Sequence, residues 1–152
     1  MSIAISYSTT KPFIRKTRDR EEVFCKIRKR WLLLTPEEWV RQNFLIYLTE
    51  VLNYPSSLIA VEKQLIVNQQ KRRFDIVVYK NTMEAFMIVE CKELEVSITE
   101  KVIQQVLEYY SVVQSDMMLV TNGNFTFGFR RVGDELLPID GIPGFEKNQP
   151  II

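Results

Sequence analysis

The chain has no histidine and only two cysteines among its 152 residues. The absence of histidine excludes Ser-His-Asp and Cys-His nucleophilic sites, histidine metal sites and histidine general bases. Two cysteines are too few for a four-thiolate zinc site, and they do not form a disulfide framework at this length. Any chemistry must therefore use carboxylates, lysine, arginine, tyrosine, hydroxyl groups or an unassisted thiol.

Long apolar runs are also lacking. No window approaches 18 consecutive apolar residues, so the sequence predicts no membrane span. The segment Met1–Tyr7 lacks the charged region and apolar block of a secretory signal, and with Cys25 and Cys91 isolated we expect a reducing cytoplasm. A hydrophobic fraction of 46% and a charged fraction of 26% are those of one ordinary globular domain.

A net charge of +1 conceals an uneven distribution along the chain. Residues 1–30 carry nine basic and three acidic side chains, a net +6, which leaves −5 for the other 122 residues. A basic arm on an acidic body favours an anionic partner such as nucleic acid. The alternative is a solvated, poorly packed N-terminus. We therefore divide the chain into a basic arm (1–30), a central domain (31–130) and a C-terminal wrapping segment of that domain (131–152).

The hydrophobic pattern predicts two helices and five strands. A capping-box sequence beginning at Thr35 predicts a helix over residues 36–53. A second capping box, beginning at Ser97, predicts a helix that runs to about Val113. Apolar or alternating runs predict strands at 58–67, 72–79, 85–91, 117–121 and 124–130. A short polar turn between the second and third strands indicates an antiparallel hairpin. This order predicts an α/β or α+β fold, with a mixed central sheet flanked by helices on both faces.

Charged residues occur where two neighbouring predicted strands leave the core. Glu90 and Lys92 end one strand and share a face, whereas Asp75 lies at the start of the preceding strand, so the hairpin brings Asp75 beside Glu90. Paired carboxylates need a compensating charge, and their oxygens suit a hard cation such as Mg²⁺. An adjacent lysine can orient a water for attack on a phosphate. The alternative is a structural salt bridge between Lys92 and either carboxylate.

Asp75 followed by Glu90-Cys91-Lys92 resembles the Asp…(Asp/Glu)-x-Lys signature of the restriction-endonuclease-like nuclease superfamily. Over residues 25–130 the chain is similar to the N-terminal nuclease domain of type I restriction enzyme R subunits, in a small stand-alone form. The segments that carry this likeness are Thr35-Pro36-Glu37-Glu38-Trp39-Val40-Arg41-Gln42, Arg73-Phe74-Asp75-Ile76-Val77, Gln105-x-x-x-Tyr109 and Val120-Thr121-Asn122-Gly123.

This resemblance implies a restriction-endonuclease-like core and a Mg²⁺-dependent deoxyribonuclease, with Mn²⁺ as a substitute. It implies that Asp75, Glu90 and the Cys91 carbonyl are metal ligands, and that Lys92 positions the attacking water or stabilises the transition state. A carboxylate on the first helix completes such sites.

The family pattern also assigns roles to residues outside the signature. Glu38 matches the helix carboxylate, with Glu37 as the alternative. Gln105 and Tyr109 match the pair that holds the substrate. In addition, Arg41 and Arg73 are candidate phosphate-binding residues, although surface ion pairs are the more frequent role of such side chains.

The implied partner is DNA, and other restriction-modification subunits or a separate motor protein are further candidates. A helicase motor needs a Gly-x-x-x-x-Gly-Lys-Ser/Thr phosphate loop, and Gly123 to Gly128 followed by Phe129-Arg130 is not one. One alternative function is a non-catalytic nucleic-acid-binding or assembly module on the same fold. Another is a structural remnant in which the carboxylates and Lys92 merely pair.

Overall fold

The computed structural model describes residues 1–146, which form nine strands and two α-helices. The strands are β1 (Ile14–Lys16), β2 (Glu21–Cys25), β3 (Arg30–Leu33), β4 (Ile59–Val67), β5 (Gln70–Tyr79), β6 (Ala85–Cys91), β7 (Met117–Thr121), β8 (Thr126–Val132) and β9 (Glu135–Ile139). The helices are α1 (Pro36–Ile46), which a π-helical turn (Tyr47–Val51) prolongs, and α2 (Glu100–Tyr110). Within this described part, no helix is long and apolar enough to cross a membrane.

Six strands form a mixed sheet in the order β4-β5-β6-β7-β8-β9, and β1-β2-β3 form a separate antiparallel sheet. The β6–β7 pair is parallel, with α2 in the crossover between the two strands, and the other neighbours in the large sheet are antiparallel. The prediction of an α+β fold built on a mixed sheet is therefore confirmed.

Helix α1 begins as the capping sequence predicts. The Thr35 hydroxyl accepts a hydrogen bond from the Glu38 N–H at 3.0 Å, and Pro36 occupies the first helical position. The helical stretch ends at Val51, two residues before the predicted end, and Asn53 adopts a positive φ of 63°. This left-handed residue turns the chain towards β4.

The five predicted strands correspond to β4–β8, and the β5–β6 hairpin is confirmed. The predicted start of the second helix is wrong by two residues. Thr99, rather than Ser97, is the N-cap, and its hydroxyl accepts from the Val102 N–H at 3.2 Å. Helix α2 also ends at Tyr110, three residues before the predicted Val113.

Within the described residues, both terminal segments contain strands that were not predicted from the sequence. The basic arm contains β1 and β2, with Val23 and Cys25 fully buried, so a poorly packed N-terminus is wrong. The predicted wrapping segment contains β9, which pairs with β8 at the edge of the sheet, where Pro138 costs no internal ladder bond. The last part of that predicted segment, residues 147–152, lies outside the described residues.

The two helices pack against different side-chain sets of the same strands. Phe44 of α1 belongs to a core cluster with Ile76 of β5. Tyr110 of α2 belongs to a second cluster, with Val77 of β5 and Ile88 of β6. Because successive strand residues project to opposite sides, Ile76 and Val77 are divided between the two clusters. The core thus holds β5 and β6 firmly, and these strands carry the candidate site.

Candidate functional site

The central feature of the site is a pair of carboxyl groups at the ends of β5 and β6. The ladder pairs Ile76 with Val89, and continuing this register by one residue places Asp75 opposite Glu90. Asp75 Oδ2 accepts a hydrogen bond from the Cys91 N–H at 2.8 Å, and Glu90 Oε2 accepts one from the Tyr110 hydroxyl at 2.8 Å. The expectation that hairpin geometry makes Asp75 and Glu90 neighbours is confirmed.

These two carboxyl groups have pKa values displaced in opposite directions. Burial, and then the adjacent Asp75, raise the pKa of Glu90 to about 8. Burial opposes the charge of Asp75, but hydrogen bonds from Glu90 and the Cys91 N–H, together with Arg41, hold its pKa below the ordinary value. These opposite shifts favour a singly charged pair near neutral pH, in which the proton resides on Glu90 rather than on Asp75.

Glu90 and Lys92 open onto a groove of about 260 Å³, which Gln105 and Tyr109 of α2 also line. This arrangement confirms that Glu90 and Lys92 lie on one side of the strand, and it brings the predicted Gln-x-x-x-Tyr pair beside them. Among residues 1–146, Lys92 forms no ion pair with a carboxylate. The alternative salt bridge with Glu90 or Asp75 is therefore not formed.

Arg41 links α1 to the carboxyl pair. Its side chain is only 4% exposed, and Nη2 lies 2.9 Å from Asp75 Oδ1 and 2.6 Å from Glu37 Oε1. Its Nη1 lies 2.6 Å from Glu38 Oε1. Burial acts against this charge, but Asp75 and Glu38 outweigh it and raise the pKa of Arg41. Phosphate binding by Arg41 stays a prediction, and direct contact would require some of these ion pairs to break.

The two candidate carboxylates of α1 have different surroundings. Glu38 is buried, and its carboxylate accepts hydrogen bonds from Arg28, Arg41 and Gln42. Glu37 is half-exposed; burial and the nearby Asp75 raise its pKa, and Arg41 and Lys92 oppose that rise. The charge of Glu37 is therefore coupled to those of Asp75 and Lys92.

Two residues of this site, Glu62 and Arg28, were not predicted from the sequence. Glu62 of β4 has a positive φ of 51° and interrupts the β4–β5 ladder opposite Asp75. Its carboxylate lies 3.1 Å from Arg28 Nη1 and 3.6 Å from Arg73 Nη2. No local pattern distinguishes Glu62 or Arg28 from other charged residues, because their positions depend on how β4 and the N-terminal sheet meet α1. The predicted phosphate binder Arg73 remains accessible, with its side chain 70% exposed.

The donor atoms of the site suit a hard cation. Among residues 1–146 there is no cluster of three or more acidic or cysteine side chains arranged around one metal position. Asp75 and Glu90 nevertheless offer adjacent carboxylate oxygens, and Mg²⁺ is commonly bound through one or two carboxylates with water and phosphate in the other positions. Burial raises the pKa of the Cys91 thiol well above its ordinary value, so Cys91 is not a reactive thiolate.

A comparison with protein families connects this geometry to known proteins. Residues 36–143, most of the 152-residue chain, match the family described as type I restriction enzyme R protein N terminus (HSDR_N). This match includes Asp75, Glu90, Lys92 and the groove-lining residues of α2, but not β1–β3. A comparison with curated proteins gave no match.

Proposed function

Because the chain belongs to the family of type I restriction enzyme R protein N termini, we propose that it is a Mg²⁺-dependent deoxyribonuclease domain. Family membership indicates a restriction-related role, and the hydrolysis of phosphodiester bonds is the proposal. The observation that carries it is the opposition of Asp75 and Glu90 at the strand ends, with Lys92 beside them on the same groove.

Asp75 and Glu90 are the proposed metal ligands. The Cys91 carbonyl is a third, because the N–H of the same residue already faces Asp75. Bound Mg²⁺ would supply positive charge to a phosphate and lower the pKa of a coordinated water. Lys92 orients the attacking water and stabilises the charge that develops on the phosphate. Gln105 and Tyr109 hold the DNA strand across the groove.

The helix carboxylate in this proposal is Glu37, although the family pattern points to Glu38. Supporting this choice, Glu38 already accepts hydrogen bonds from three side chains, whereas Glu37 is half-exposed and has Arg41 as its ion-pair partner. Glu38 then has the structural task of positioning Arg28 and Arg41. Comparing cleavage by Glu37→Gln and Glu38→Gln, with stability measured in parallel, separates these roles.

A cleavage assay tests the proposed activity. The purified chain is incubated with duplex and single-stranded DNA in the presence of Mg²⁺ or Mn²⁺. We expect Asp75→Asn to abolish cleavage and Lys92→Met to reduce its rate about 10²- to 10³-fold, because each removes a group that stabilises the transition state. Asp134→Asn is the matched control, since Asp134 is exposed in the turn between β8 and β9. Cleavage that survives in both site variants would contradict the proposal.

A second candidate function is DNA binding without cleavage. The specific observation in its favour is the contact between Arg41 Nη2 and Asp75 Oδ1, which places a cation on one of the proposed metal ligands. DNA binding that weakens steeply with salt, needs no divalent metal and is accompanied by no cleavage would favour this function. Calorimetric titration with Mn²⁺ gives independent evidence, since the nuclease proposal requires binding that Asp75→Asn removes.

A further inference from the structure

Strands β4 and β5 extend past the end of β6. The β5–β6 ladder includes Ile76 but no earlier residue, whereas the β4–β5 ladder continues to the pair Val67–Gln70. Residues 63–73, which we call the hairpin arm, therefore pair only within the hairpin itself. The arm ends two residues before Asp75, so it adjoins the candidate site.

The hairpin arm has a strong uncompensated positive charge. It contains four basic residues and no acidic one, and the basic residues are Lys63, Lys71, Arg72 and Arg73. Within residues 1–146 the two lysines form no ion pair, and Arg73 has only a 3.6 Å contact with Glu62. By contrast, three arginines of the N-terminal segment have close carboxylate partners, since Arg15 and Arg20 share Glu22 and Arg28 pairs with Glu38.

One face of the hairpin arm is exposed and leads to the site. The register pairs Ile66 with Lys71 and Gln64 with Arg73, and cross-strand partners project to the same side. Ile66 is 73% exposed, and Lys71 is exposed beside it. Arg73 Nη2 lies 3.6 Å from Glu62 Oε2, and Arg41 Nη2 lies 3.9 Å from Glu62 Oε1 and 2.9 Å from Asp75 Oδ1, so a chain of charged side chains connects this face to Asp75.

The base of the hairpin arm is anchored to the groove. The Arg72 guanidinium lies 4.5 Å from the centre of the Tyr109 ring, and the Arg73 N–H donates to the Tyr109 hydroxyl at 3.2 Å. Tyr109 also lines the groove with Glu90 and Lys92. These contacts tie the backbone at the base of the hairpin arm to the groove beside the carboxyl pair.

We propose that the hairpin arm binds the DNA backbone next to the candidate metal site, with Lys71 and Arg73 on phosphates and Ile66 against a sugar or base. The location of the bound DNA rests on the proposed function. Charge complementarity selects nucleic acid over protein, because lysine is depleted from protein interfaces whereas unpaired cations are the main source of affinity for a polyanion.

The test is the binding of a fluorescently labelled DNA duplex, followed by anisotropy in EDTA over a range of salt concentrations. Lys71→Ala is expected to weaken binding and to make the logarithmic salt dependence shallower by about 1, whereas Lys71→Arg retains both. Arg130→Ala is the matched control. Arg130 is exposed on β8 and pairs with Met117 at the start of β7, and the carboxyl pair lies towards the other end of that strand.

The outcomes separate this inference from the proposed nuclease activity, because EDTA prevents metal-dependent cleavage. Wild-type affinity and salt dependence in Lys71→Ala would overturn the inference, as would the absence of DNA binding by the wild-type chain. If the wild-type chain cleaves DNA while Lys71→Ala binds it normally, only the inference about the arm fails. If the wild-type chain never cleaves and Lys71→Ala loses affinity, only the proposed nuclease activity fails. Far-UV circular dichroism verifies that each variant is folded.

Discussion

Glu90 is a partly buried carboxyl group whose charge changes close to neutral pH. Its pKa of about 8 in the folded chain lies above the ordinary value of 4.5 because of burial and the adjacent Asp75. Between these two values the folded chain keeps a proton that the unfolded chain has released. This group therefore contributes its full stabilisation below pH 4.5, and the contribution is lost as the pH rises through about 8.

We expect the free energy of unfolding to fall between pH about 5 and about 8, by at most about 1.4 kcal/mol per pH unit. The lowered pKa of Asp75 makes the free energy of unfolding rise with pH, but this effect is confined to more acidic conditions. Urea unfolding of the metal-free chain across this range measures the slope. Glu90→Gln should flatten it, whereas Glu95→Gln, a change at an exposed carboxylate, should leave it unaltered. A wild-type slope that persists in Glu90→Gln would contradict the assignment of the proton.

Arg41 stabilises the carboxylates around it and competes with a metal for Asp75. We expect Arg41→Gln to destabilise the metal-free chain by about 3–5 kcal/mol, because buried carboxylates lose their cation. The same change leaves Asp75 available, so the rise in melting temperature on adding Mn²⁺ should be larger than in the wild-type chain.

Arg28→Gln is the control for this experiment. Arg28 is similarly buried and pairs with Glu38 and Glu62, but it does not contact Asp75. Its loss should destabilise the chain without increasing the response to Mn²⁺. Equal responses of the two variants would contradict the idea that Arg41 occupies a ligand of the metal site.

At the scale of elements, local patterns predicted most of the fold. The capping residues at Thr35 and the continuous apolar run of β6 are signals within a few neighbouring residues, and both elements begin where expected. The three strands of the N-terminal sheet, β1–β3, and strand β9 were missed because their stability depends on pairing and on the core beneath them. The same holds for the site. The hairpin predicts that Asp75 and Glu90 are neighbours, but no local pattern predicts that Arg28 and Glu62, from other parts of the chain, lie beside them.

The turn of the hairpin arm is an element held in a strained conformation. Asn68 and Gln69 have φ values of 51° and 66°, as a two-residue hairpin turn requires, but glutamine is poorly suited to the left-handed region. We expect Gln69→Gly to stabilise the chain by up to about 1 kcal/mol, since glycine adopts this conformation without steric cost. Gln70→Gly, in the ladder itself, should destabilise it by about 0.5–1 kcal/mol. Thermal unfolding of the two variants measures both effects, and a lower melting temperature for Gln69→Gly would contradict the prediction.

For the molecule as a whole, the folding unit is larger than the segment that defines the family. The family match begins at residue 36, yet Ile3 and Cys25 belong to the same buried cluster as Phe44 of α1. The Ile3 N–H also donates to the Thr126 carbonyl, which attaches the first residues to β8. The N-terminal segment thus contributes to the core cluster against which α1 packs. Removing this segment should therefore disturb the position of the α1 carboxylates as well as lower the stability of the chain.

We therefore expect Ile3→Ala to destabilise the chain by about 2–5 kcal/mol, the usual cost of emptying a buried aliphatic site. Ile14→Ala, at a position 45% exposed, should change the free energy of unfolding by no more than about 0.5 kcal/mol. Urea unfolding measures both. A chain that begins at Thr35 should lack a cooperative transition, because partly buried Ile5, Tyr7, Ile27 and Leu32 would no longer cover the cluster. If that shortened chain unfolded with the wild-type midpoint, the segment that defines the family would itself be the folding unit and the N-terminal sheet an accessory to it.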